Sequence, residues 1–184
     1  MNRIFASLAS LSTLLLIAAF ILGLSIDDAK SPSAEVQSWV SLHFLTAVGA
    51  LVFALLVHAI MLTYFMGTGR WMEETSRAYG LSEQWLSESH SLKYRAIPVM
   101  AGCVVMLIVT GAFGAAADPA TPYGADGWFG LSAATGHLLM ASTMLCTNVF
   151  VNLWEYQAIH RNGEIVEAVL GEVRRIREEK GLPV

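Results

Sequence analysis

Four long apolar runs dominate this chain, at residues 4–26, 36–67, 97–117 and 128–156. Each reaches the roughly 20 residues that a helix needs to cross the hydrocarbon layer of a membrane. A backbone in lipid must satisfy its own hydrogen bonds, so each run is predicted to be one helix. The expected fold is all-α: an integral membrane four-helix bundle over residues 1–160, then a C-terminal cytoplasmic amphipathic helix within 161–184. Only 14% of the 184 residues are charged and 55% are hydrophobic, whereas a soluble domain carries roughly 25% charged. That balance excludes a nucleic-acid binder, a disordered tail and an ordinary cytosolic enzyme. Cys103 and Cys146 each sit alone in an apolar run, which excludes a disulfide framework or a zinc finger.

The first run follows Arg3 and superficially resembles a secretory signal. It is longer than a typical signal core, and no A-x-A site precedes Asp27, so it reads as a retained helix. The second run is longer than a single crossing requires. Gly80, Leu81 and Ser82 read as a turn, which predicts that the second helix continues to about residue 79 and the third starts near 82, with Pro98 inside it. Placing the N-terminus inside puts Arg3, Arg70, Arg77, Lys93, Arg95, Arg161, Arg174, Arg175, Arg177 and Lys180 in cytoplasmic segments, and only Lys30 outside. That bias predicts that both termini are cytoplasmic, in a membrane of the bacterial inner type. In the tail, Ile165, Val169, Val173 and Ile176 recur at helical spacing among Glu and Arg. An amphipathic helix is expected there, lying on the membrane surface or against a partner.

Histidines inside the spans are the sharpest chemical signal, because an ionisable group at membrane depth costs on the order of 2.5 kcal/mol or more when charged. His43 and His58 lie 15 residues apart on the second run, about 60° apart in azimuth and about 22 Å along the axis. Ala47, Gly49, Ala50 and Ala54 between them leave room for close packing or for a flat macrocycle. Two histidines about four turns apart on one membrane helix resemble the arrangement in membrane b-type cytochromes, where each ligates a haem. The second and fourth helices run in the same direction, so His43 and His137 are expected at matching depth, facing each other as axial ligands. For His58 the matching positions are Asn152 on the fourth helix and the neighbourhood of Met100 and Cys103 on the third. Met100, Cys103 and His90 are therefore weaker candidates for a second ligand, and one haem b, two, or none at His58 all stay open.

The fourth run also carries a polar stripe of Asn148, Asn152 and Glu155 on the His137 side. Such a stripe faces a bundle interior or a wet cavity, where it can pass protons or orient a quinone with Arg70 or Tyr64 nearby. Its plainer reading is interhelical hydrogen bonding, worth about 0.6 kcal/mol each. Met140 and Met144 follow His137 by one and two turns and suit Cu(I). Nothing in the sequence resembles a nucleophilic triad, a phosphate-binding glycine loop or a metalloprotease helix. The expected function is electron transfer by a haem-bearing membrane cytochrome b, exchanging with a quinone or a partner redox subunit, alone or as an oligomer. At most, the chain is the membrane anchor of an oxidoreductase. The rival readings are a cofactor-free accessory or assembly subunit and, behind it, a copper- or proton-handling protein.

Overall fold

The computed structural model describes residues 1–121 and 127–183, apart from the side chain of Trp128. Helix α1 spans Asn2–Leu24, α2 Ala34–Tyr79, α3 Glu83–Ala117 and α4 Ala133–Glu179. Between α3 and α4, strands β1 (Gly127–Trp128) and β2 (Leu131–Ser132) pair antiparallel. Among the described residues, these four helices are long and apolar enough to cross a membrane. Sequential helices pack side by side, α4 closes against α1, and α2 touches α4 across the bundle while α1 and α3 stay apart. That short α2–α4 diagonal carries His43, His58, His137 and the polar stripe.

The distribution of polarity fits a lipid solvent. Ile4, Leu14, Leu45, Phe150 and Leu153 point outward, whereas Ser12, His58, Thr110, Asn148, Asn152 and Glu155 are buried. Lipid accepts apolar side chains as readily as a core does, so polar groups go inside to find partners.

Helix ends follow the local sequence. Gly80 takes the left-handed conformation (φ 65°) that closes α2, and the Leu81 N–H donates to the Ser76 carbonyl at 3.0 Å. Ser82 then caps α3 by accepting from the Gln84 N–H. The fourth helix starts later than its apolar run, which begins at 128. Phe129 and Gly130 both hold positive φ (54° and 79°) and turn the chain back on itself. Ser132 accepts the Thr135 N–H at 3.1 Å and fixes the helix start at Ala133.

Along the α2–α4 diagonal the interior is layered. Leu16, Ala50, Ala54, Leu107, Met144 and Val151 form one apolar cluster, and Phe5, Met61, Phe65, Met100 and Ile159 form another. Met100 thus packs as core. Past the second cluster, Asn162 is fully buried and joins three helices. Its Oδ1 accepts from Ser89 Oγ of α3 at 2.7 Å, and its Nδ2 donates to Thr68 Oγ1 at 3.0 Å and Tyr64 OH at 3.2 Å, both on α2. Every polar atom of that amide has a partner.

The C-terminal segment departs from expectation. Helix α4 passes residue 160 without a break and continues to Glu179. The side expected on a membrane surface or a partner, Ile165 and Val169, is buried against the chain itself. Arg161 pairs with Glu88 of α3 at 2.8 Å, and Arg177 donates to Tyr79 OH of α2 at 3.0 Å. The physical reason is length. The 46 residues of α2 extend about 69 Å at 1.5 Å each, far more than a bilayer core of about 30 Å, so the α2–α3 hairpin supplies an apolar surface for the tail. On that tail, Arg175 beside Glu172 holds the carboxyl below its usual range.

Replacing Asn162 by Ala strands the buried Ser89 hydroxyl and takes a donor from the half-buried Tyr64 and Thr68 hydroxyls. Asn162→Ala is expected to lower unfolding free energy by about 1–3 kcal/mol, read from thermal or denaturant melts of the detergent-solubilised protein.

Candidate functional site: a histidine pair and a buried polar ring

His43 of α2 and His137 of α4 meet as expected, with ring centroids 6.3 Å apart and planes at 70°. Each ring is held from the side by the helix that precedes its own. His43 Nδ1 donates to the Ala19 carbonyl of α1 at 2.9 Å, which sets the tautomer and leaves Nε2 with its lone pair on the opposite edge. Four residues on from Ala19, Gly23 lies flat against the ring; a Cβ there would stand 2.9 Å from His43 Cε1. His137 repeats the arrangement on α3. Its ring lies beside the Thr110 backbone, and its buried Nδ1 has no hydrogen-bond partner. Four residues further, a Cβ on Gly114 would stand 3.0 Å from His137 Cε1. A glycine of the preceding helix thus lies against both imidazoles, and at His43 a carbonyl bond fixes the ring as well. No sequence signal for histidine ligation pointed to Gly23 or Gly114, because the match exists only between helices.

Both rings are half-buried, and among the described residues neither Nε2 has a hydrogen-bond partner. A metal bonded to two imidazole nitrogens at about 2 Å each places the ring centroids roughly 6 Å apart, and the planes can take any angle about the ligand axis. Among the described residues no three His, Cys, Asp or Glu side chains converge to hold a metal ion. A bare ion at this pair thus has two protein ligands, short of the four of a closed site. A haem brings its own equatorial donors and needs only two axial ones.

His58 lies in a different environment. Its ring is 1% exposed, and Glu155 and Asn148 are fully buried around it. Nδ1 is 2.8 Å from Glu155 Oε1, and Nε2 is 3.2 Å from Asn148 Nδ2. Asn148 Nδ2 also lies 3.7 Å from Cys103 Sγ, and Asn152 Nδ2 donates to Asn148 Oδ1 at 3.0 Å and Thr13 Oγ1 at 3.5 Å. Both ring nitrogens are engaged by protein, and Asn152, the α4 position expected at this depth, reaches His58 only through Asn148. These side chains bond to one another.

The remaining candidates do not join either cluster. Arg70 is on the surface, paired with Glu74 at 2.9 Å. It shares a groove of about 400 Å³ with His90, Lys93 and Arg77, and His90 stacks edge-on to Tyr94 at 6.2 Å. Met144 is buried in the apolar cluster inward of His137. Tyr64 serves the Asn162 layer instead of Glu155. No protein-family model, curated protein or solved structure matches the chain.

The glycine notches give a direct test. Gly23→Ala and Gly114→Ala should each cost about 1–3 kcal/mol through overpacking and should displace the ring resonances of His43 and His137. Gly49→Ala, where an added Cβ meets nothing within 4 Å, should be neutral or stabilising by up to about 1 kcal/mol. Melting curves and histidine NMR spectra of the three variants check this.

Proposed function

We propose that the chain is a membrane b-type haem protein, with His43 and His137 as the two axial ligands, that carries electrons within or across the bilayer. The supporting observation is the pair itself: two imidazoles from non-adjacent helices, 6.3 Å apart, with a carbonyl fixing the His43 tautomer and a glycine opening space beside each ring. A pair kept only for hydrogen bonding would turn its nitrogens to each other or to backbone. Here the Nε2 edges are left unspent. When bound, the haem would supply one-electron chemistry at its iron. The chain fixes the ligand tautomers, holds the ring positions, and surrounds the site with Ala50, Leu107, Met144 and Leu16 on its inward side, which lowers the local dielectric.

His58 is left out of the ligand set, since both of its nitrogens have protein partners. The positive-charge bias supports an orientation with both termini in the cytoplasm of a bacterial-type inner membrane and the histidine pair toward the outer face. In this reading electrons would pass to a quinone or to a partner subunit, with the chain as the electron-carrying anchor of an oxidoreductase. The rival reading is a cofactor-free accessory subunit. It is favoured by the Asn162 layer, in which buried polarity is satisfied with no cofactor at all.

Visible spectra before and after dithionite separate the two. The detergent-solubilised protein is expected to show a Soret band with sharp reduced α and β bands. His43→Ala and His137→Ala should each abolish them, while His58→Gln keeps them. A folded protein that stays colourless after haem is supplied during expression overturns the proposal.

A further inference from the structure

The ring around His58 contains two anomalies. Glu155 Oε2 and Asn152 Oδ1 are both buried without a hydrogen-bond partner. Two orphaned acceptors at bilayer depth are costly, since each forfeits its solvation. They stand three residues apart on α4, a spacing at which helix side chains are neighbours. A single proton on Glu155 would let Oε2–H donate to Asn152 Oδ1 and satisfy both.

With the amides placed as they are, the directions of the surrounding hydrogen bonds point to the same proton. The Thr13 hydroxyl of α1 donates to the Ala9 carbonyl at 2.9 Å, so toward Asn152 it can only accept. That turns Asn152 Nδ2 toward Thr13 and toward Asn148 Oδ1. Asn148 in turn presents its Nδ2 to His58 Nε2 and to Cys103 Sγ, which makes Nε2 an acceptor and the imidazole neutral. The remaining proton of His58 is on Nδ1 and is donated to Glu155 Oε1. Asn152 Oδ1, buried without a donor, is then completed by a carboxylic acid at Glu155, its neighbour one turn along α4.

We infer that Glu155 is a proton-binding site within the membrane-spanning bundle, holding its proton as a neutral carboxylic acid that closes a ring of donors running from His58 to Glu155, Asn152, Asn148 and back to His58. The ring draws on all four helices: Thr13 from α1, His58 from α2, Cys103 from α3, and Asn148, Asn152 and Glu155 from α4. Of these, His58, Cys103 and Glu155 are the ionisable members. Every donor in the ring meets an acceptor, and no net or separated charge sits in the low-dielectric interior, where a charged pair must offset two desolvation penalties. The alternative is an ion pair of His58 and Glu155, which reverses both asparagine amides and takes the Thr13 hydroxyl proton from the Ala9 carbonyl to Asn152 Oδ1. Apolar clusters containing Val151 and Leu107, and Met61, Phe65 and Ile159, pack on the same helices as the ring.

The inference does not depend on any cofactor, and infrared spectroscopy of the full-length protein in lipid or detergent tests it. At neutral pH a protonated-carboxyl C=O band should be present, shift in D2O after long exchange, and vanish in Glu155→Gln. That variant should melt close to the unsubstituted protein, because a glutamine amide donates to Asn152 and accepts from His58 as the acid does. A spectrum with carboxylate bands only, or an acid band that survives Glu155→Gln, overturns the inference. Should Glu155→Gln fail to fold, ring 15N spectra of the unsubstituted protein decide. A neutral Nδ1–H imidazole at His58 upholds it and a doubly protonated ring overturns it. Neither readout uses the visible spectrum, so this result stands apart from that of the haem proposal.

Discussion

Polar groups in a bilayer have no water to fall back on, and the α2–α4 diagonal is where this bundle meets that constraint. Helices α1 and α3 stay apart while α2 and α4 touch, so side chains on that diagonal see three other helices and little lipid. His43 and His137, the His58 ring and the Asn162 layer all lie along it. Each is separated from the next by apolar packing, which keeps the polar layers electrically independent. The Asn162 layer clamps three helices with hydrogen bonds in which every amide atom has a partner. The His58 ring does the same with one proton more. Only the histidine pair keeps lone pairs in reserve, and that difference is why the functional reading attaches to it.

The two halves of the histidine site are built alike. In each hairpin, the ascending helix offers a backbone group and, one turn later, a glycine; the descending helix offers the imidazole. The two rings meet edge to face at 6.3 Å, a separation that ordinary ring packing takes and that two imidazoles sharing a metal would also take.

Lengthening the helices beyond the membrane has a second consequence. The α2–α3 hairpin and the end of α4 form a three-helix extension whose contacts, Arg161 with Glu88 and Arg177 with Tyr79, cross between elements. The extension carries a groove in which Arg70 and Arg77 pair with Glu74 and Glu73 beside Lys93.

Much of this was legible in the chain alone. Four apolar runs give four helices because lipid permits no other backbone solution for such segments, and the G-L-S turn at residue 80 marks its own position through the left-handed glycine and the serine cap. Helical arithmetic brought His43 to His137, and His58 to the neighbourhood of Asn152 and Cys103, because rise and azimuth per residue are fixed by the backbone. What needed the tertiary structure was anything set by the sideways offset between helices. Gly23 and Gly114 matter only because a ring from a neighbour lies on them, and Arg70 misses Glu155 because it lies about 18 Å along α2 from His58, the residue that meets Glu155. The tail's apolar side finds its cover on a hairpin whose reach depends on how far α2 extends. The proton on Glu155 is the extreme case: it follows from which atom of each amide faces which neighbour, a fact that resides in the packing and in no single stretch of sequence.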